Sequence, residues 1–114
     1  MSQFPLALQE RRLSVRRRVH IVALLHCHQL VRTVVIEDYS HYGLRLVSRF
    51  PAAIGERVTV ELLSGHRLPV QVIWVAGTNI GVRFFGIQAG HPGLLALWKA
   101  VRKYEGLDPP DEVA

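Results

Sequence analysis

Between residues 19 and 85 the chain carries a dense series of short apolar runs with a period of two, and the intervals between them leave no room for crossover helices. Val19, Ile21, Ala23 and Leu25 alternate with Arg18, His20 and Leu24, and Leu30 to Ile36 is rich in β-branched residues. Leu44 to Val47 follows Gly43. Arg57 to Leu63 sets Val58, Val60 and Leu62 against Arg57, Thr59 and Glu61. Leu68, Val70, Val72 and Trp74 alternate again, and Ile80 to Phe85 supplies a sixth run. Ser64-Gly65 and Gly77-Thr78-Asn79 are turn sequences, and His26-Cys27-His28-Gln29 is short and polar enough to close a hairpin. The pattern predicts a six-stranded antiparallel barrel or sandwich.

The period changes near the C-terminus. From Gly93 the apolar residues fall at Leu94, Leu97, Trp98, Val101 and Tyr104, which is helical spacing. Pro92 suits a first-turn position, Lys99, Arg102 and Lys103 suit the C-terminal end, and Gly106 is a stop signal. The expected organisation is a basic arm over 1–18, a β-domain over 19–86, a helix over 90–106 packed on it, and an acidic, Pro-rich tail over 107–114. At 114 residues one core is attainable without staples. Cys27 is the sole cysteine, which excludes an internal disulfide framework and fits a reducing compartment. The first ten residues lack the basic and apolar regions of a signal peptide, and the longest apolar runs are too short to span a bilayer. The expectation is a cytoplasmic protein with no membrane insertion.

The basicity is local. Residues 1–20 hold Arg11, Arg12, Arg16, Arg17 and Arg18 against Glu10, while the whole chain carries +5. Arginine suits planar, bidentate recognition of phosphate and of guanine edges better than lysine does, and only Lys99 and Lys103 accompany the arginines. The bias points to a defined anionic ligand, and the competing reading is a solvated arm that aids solubility. A second cluster, Asp38-Tyr39-Ser40-His41-Tyr42-Gly43, reads as a turn-like segment after strand two. A hairpin turn centred between Cys27 and His28 pairs Val19 with Ile36 and Arg17 with Asp38, so both clusters fall at one end of the sheet. Arginine forks there can clamp phosphate or the O6/N7 edge of guanine, and Asp38 can accept from guanine N1–H and its amine. Ser40 adds a small donor and acceptor, and Gly43 permits close backbone approach. Taken singly, Asp38 and Ser40 also fit as self-bonding turn residues, and Gly43 as a positive-φ position.

Arg12-xxx-Arg16 followed one hairpin later by Asp38-x-Ser40-xx-Gly43 resembles the RxxxR and (D/N)xSxxG pair of PilZ domains, which bind cyclic di-GMP. Ile54-Gly55-Glu56-Arg57-Val58 resembles the start of a family strand, and Val72-Ile73-Trp74-Val75 with Gly81-Val82-Arg83-Phe84 resembles its closing strands. The resemblance covers roughly residues 10–86 and implies a six-stranded antiparallel barrel with a C-terminal helix. It implies that Arg12 and Arg16 contact phosphates and guanine, and that Asp38, Ser40 and Gly43 bind the ligand from the barrel surface. Arg11 and Arg17 are auxiliary candidates. Trp74 lies where some members stack a tryptophan on guanine, although the alternation also suits it to the core. Tyr42 stands where many members have glycine.

The function expected from this resemblance is a stand-alone receptor for cyclic di-GMP, with the nucleotide ordering the arm across the barrel end for a downstream protein effector. The competing readings are a PilZ-like interaction module that binds no nucleotide, and a small basic barrel that binds nucleic acid without sequence preference. The first is preferred, so no nucleic-acid partner is expected. No enzyme activity is expected, because Cys27 has no hint of an activating environment beyond the flanking His26 and His28, and Ser40 has no obvious base and orienting partner. His26-Cys27-His28 has no carboxylate nearby and reads as a turn, so no metal and no cofactor are expected.

Overall fold

The computed structural model describes residues 16–49 and 52–106. Its elements are β1 (Arg17–Cys27), β2 (Leu30–Tyr39), β3 (Gly43–Val47), β4 (Arg57–Leu62), β5 (Arg67–Ala76), β6 (Asn79–Phe84) and one helix, α1 (Pro92–Tyr104). All pairings are antiparallel, and the strands close into a barrel in the order β1-β2-β3-β6-β5-β4. Closure, through β4 on β1, removes both sheet edges and decides for the barrel over the sandwich.

Period-two alternation fills the interior. Ala23, Leu25, Ile36, Leu46, Val60, Leu68 and Val70 are each at most 1% exposed, and their polar strand neighbours face outward. Burial of the Val, Leu and Ile side chains among them contributes about 1.5–3 kcal/mol apiece. The start of β2 does not follow this rule. Leu30 and Val31 are exposed, in the part of β2 that pairs with β1 but not with β3.

The hairpin register differs from the sequence expectation. Its turn is His28-Gln29, with both residues in the left-handed region (φ 53° and 66°), and Cys27 pairs with Leu30. The two-residue loop moves the pairing so that Ile21 rather than Val19 opposes Ile36. A bulge between Arg18 and Ile21 then sets Arg18, not Arg17, opposite Asp38, and Arg17 opposite Tyr39. Neither residue of the turn is the Asn or Gly that announces a left-handed hairpin loop, so composition gave no marker for its centre.

Helix α1 opens with His91 as N-cap, whose Nδ1 accepts from the Gly93 N–H at 3.0 Å, and with Pro92 in the first turn, where no N–H partner is needed. Arg102 and Lys103 lie in the last turn, and Gly106 turns the chain at φ 73°. The helix packs against β1, β4 and β5 through Leu97 and Val101, which join the core. Trp98 and Tyr104, expected on the same apolar face, are instead about half exposed at 46% and 52%. Arg102 lies over the Trp98 ring at 4.8 Å.

Candidate functional site

Where β2 turns into β3, the strand continues through Asp38 and Tyr39, so these two residues are paired strand residues and not turn residues. The turn proper is Ser40-His41-Tyr42. The Ser40 Oγ accepts from the Tyr42 N–H at 3.2 Å, and the Ser40 N–H donates to the Gly43 carbonyl at 3.0 Å. Gly43 begins β3 without a positive φ, and what requires glycine there is proximity. A Cβ at this position would lie 1.9 Å from the Val82 carbonyl oxygen of β6. The glycine therefore lets β3 sit against β6 directly beneath the turn.

These elements open onto a surface cleft of about 420 Å³, its mouth included, lined by Arg16, Asp38, Ser40, Gly43, Trp74 and Arg83 among others. Arg16 and Asp38, 22 positions apart in sequence, thus line the same cleft, the proximity that hairpin geometry predicts. Asp38 is held by a residue that sequence reasoning missed. Arg45 Nε donates to Asp38 Oδ2 at 2.6 Å, and Arg45 Nη1 donates to Asn79 Oδ1 at 2.6 Å. Glu37 Oε1 approaches the same guanidinium at 3.8 Å. The signal was present as a cross-strand pair: once the turn tightens, Arg45 of β3 stands opposite Asp38 of β2.

Trp74 belongs to the cleft and not to the core. A bulge between Val72 and Trp74 breaks the inward alternation of β5, and the indole lies across Gly81 of β6. A Cβ on Gly81 would meet Trp74 Nε1 at 2.0 Å, so that glycine is the floor on which the ring rests. Arg17 is drawn elsewhere. Its guanidinium donates to Glu105 Oε1 at 2.8 Å, tying the start of β1 to the C-cap of α1, and it does not line the cleft. Arg11 and Arg12 lie outside the described residues.

Burial raises the Tyr39 hydroxyl pKa above its ordinary value, with Arg17 opposing the shift, so the phenol beside the cleft stays protonated at neutral pH. At the other end of the hairpin the expectation that His26-Cys27-His28 lacks carboxylates is corrected by the fold. His26 Nε2 lies 2.6 Å from Glu61 Oε1, and His28 Nε2 contacts Glu56 Oε2. Barrel closure brings in both acids, from β4 and from the loop before it.

Among the described residues no helix is long and apolar enough to cross a membrane. No curated protein sequence matches the chain significantly. A solved structure of similar fold is the PilZ domain of CeSA from a cellulose-synthesizing bacterium, with a TM-score of 0.56 at 20% identity over 81% of this chain and 96% of that one. The sequence model of the PilZ domain matches residues 10–98. PilZ domains are regulatory binding domains, generally receptors for cyclic di-GMP, and not enzymes. By the extent of that match and the shared barrel, this chain belongs to the PilZ domain family.

Proposed function

We propose that this chain binds cyclic di-GMP in the cleft between Arg16, Asp38 and Trp74 and passes the signal to a protein effector. The observation that carries the reading is the set of groups lining one cleft: Asp38 with Arg45 on its carboxylate, the further arginines Arg16 and Arg83, and the Trp74 indole. That set suits a ligand that is anionic at one point and offers adjacent N–H donors at another, which describes a guanine nucleotide. Arg16 and Arg12 supply the forks for phosphate and guanine. Asp38 accepts from the guanine N1–H and amine, with its Oδ2 held by Arg45. Ser40 and the backbone around Gly43 form the rim, and Trp74 offers its ring for stacking on a base.

The relay runs through the residue after Arg16. Arg17 is anchored to Glu105 at the end of α1, and Tyr39 is shared between the cleft and a neighbouring groove lined by Phe84, Ile87, Leu94 and Trp98. Drawing Arg16 and Arg12 onto the nucleotide orders the arm beside the helix, and the combined surface is what the effector reads.

Nucleotide selectivity tests the reading. A ligand at 100 times its Kd stabilises the folded state by about 2.7 kcal/mol, so cyclic di-GMP is expected to raise the melting temperature while GTP and cyclic di-AMP leave it nearly unchanged. Equal shifts with all three, or shifts that vanish with modest salt, favour non-specific polyanion binding. No shift with any of them favours the nucleotide-free interaction module.

A further inference from the structure

At the far end of the β1–β2 hairpin from the cleft, three ligating side chains of different chemistry converge from three parts of the chain. Cys27 ends β1, His28 forms the turn, and Glu56 immediately precedes β4. The Cys27 thiol, one ring nitrogen of His28 and one carboxylate oxygen of Glu56 all lie within 4.8 Å of one another. We propose that Cys27, His28 and Glu56 form a binding site for a zinc-class divalent transition metal, with the fourth coordination position open to water.

The donor set fits that class. Thiolate, imidazole and carboxylate together suit Zn²⁺, whereas Ca²⁺ and Mg²⁺ take oxygen donors. Zinc bonds of about 2.3 Å to sulfur and 2.0–2.2 Å to nitrogen or oxygen place donors roughly 3.4–3.6 Å apart in a tetrahedron. The widest observed spacing therefore needs a contraction of about 1.2–1.4 Å and the His28–Glu56 contact a small opening, which an exposed histidine at a hairpin tip supplies by a change of rotamer.

His28 and Glu56 pair directly with each other, so an ion would enter between them, with the thiol alongside. Cys27 is only 4% exposed, and its Sγ comes no closer than 4.0 Å to Glu56 Oε1, a weak contact for a buried thiol. Glu56 is fixed in place by its own loop. Its Oε1 accepts from the Ala53 N–H at 2.8 Å, its carbonyl accepts from the Val72 N–H at 2.8 Å, and its other oxygen faces His28. Such outer contacts orient a metal-binding carboxylate before the ion arrives. His26, the neighbouring histidine, is engaged with Glu61 on the other face of the strand and is not part of the site. A bound ion bridges the hairpin turn to the loop before β4 and clamps that end of the barrel.

The test uses the full-length, untagged chain with its thiol kept reduced. Titration with Co²⁺ is expected to give a near-ultraviolet thiolate-to-cobalt band that saturates at one equivalent and is displaced by Zn²⁺. The band is lost in Cys27→Ser. His28→Ala, at an exposed turn position, weakens Zn²⁺ about tenfold or more, while His66→Ala, remote from the site, does not. Absence of the thiolate band in the wild-type chain, or affinity unchanged by His28→Ala and by Glu56→Gln, overturns the proposal and marks any residual binding as adventitious. Nucleotide titrations run with and without the metal keep the two proposals separate, since neither result depends on the other.

Discussion

Arg45 of β3 holds Asp38 of β2 across the β2–β3 turn, with Nε 2.6 Å from Oδ2 and the same guanidinium bonded to Asn79 of β6 at 2.6 Å. One side chain therefore links three consecutive strands of the wall and fixes the carboxylate proposed to read guanine. Arg45→Ala removes the link without removing the reader. Because a hydrogen bond to a charged group is worth about 1.5–3 kcal/mol, cyclic di-GMP affinity is expected to fall roughly 10- to 150-fold. Calorimetry with the variant checks this, and a variant that binds like wild type shows that Asp38 needs no such support.

Two glycines make opposite predictions. Gly43→Ala drives a methyl into the Val82 backbone, which cannot yield without spreading β3 from β6, so a loss of at least about 1–3 kcal/mol is expected in urea denaturation. Gly81→Ala meets the Trp74 indole, a side chain that can swing aside. Its expected effect is a displaced tryptophan, seen as a fluorescence change in a Trp98→Phe background, with stability less affected than in Gly43→Ala.

Trp74→Ala removes the stacking surface and is expected to weaken cyclic di-GMP by about 1–3 kcal/mol, the worth of one base on one aromatic ring. Unchanged affinity in the titration shows that the indole only covers Gly81.

Glu56 gives a pH signature. The Ala53 N–H, and next the His28 side chain, hold its carboxyl below the ordinary value of 4.5. A lowered folded-state pKa means that the unfolded chain takes up the proton first, so this contribution is complete above about pH 4.5 and is lost as pH falls through the lower folded value. In metal-free buffer, wild type is expected to exceed Glu56→Gln in urea midpoint at neutral pH, and the gap is expected to close in acid. A gap independent of pH assigns the effect to packing.

The strands were legible because a barrel wall obeys one rule: each inward position must be apolar, and Val58, Val60 and Leu62 state it plainly. The helix ends were equally plain in Pro92 and Gly106. What the sequence concealed was every departure from regular pairing. The left-handed turn at His28-Gln29 and the bulge after Arg18 moved the register, and the bulge before Trp74 turned that residue from the expected interior toward the cleft. Long-range partners were hidden for a different reason. Glu56 reaches Cys27 and His28, and Arg17 reaches Glu105, only after closure and helix docking have set their distances, which no local spacing encodes.

The central claim is tested most directly by calorimetric titration of the chain with cyclic di-GMP, alongside Arg16→Ala and Asp38→Ala. Losing one partner of a buried charge-assisted contact costs about 2–5 kcal/mol. The prediction is saturable binding in the micromolar range or tighter, weakened at least about 30-fold in each variant. No heat in the wild-type chain, together with no thermal shift at high nucleotide concentration, contradicts the receptor reading and leaves the barrel and its helix as a surface for protein partners.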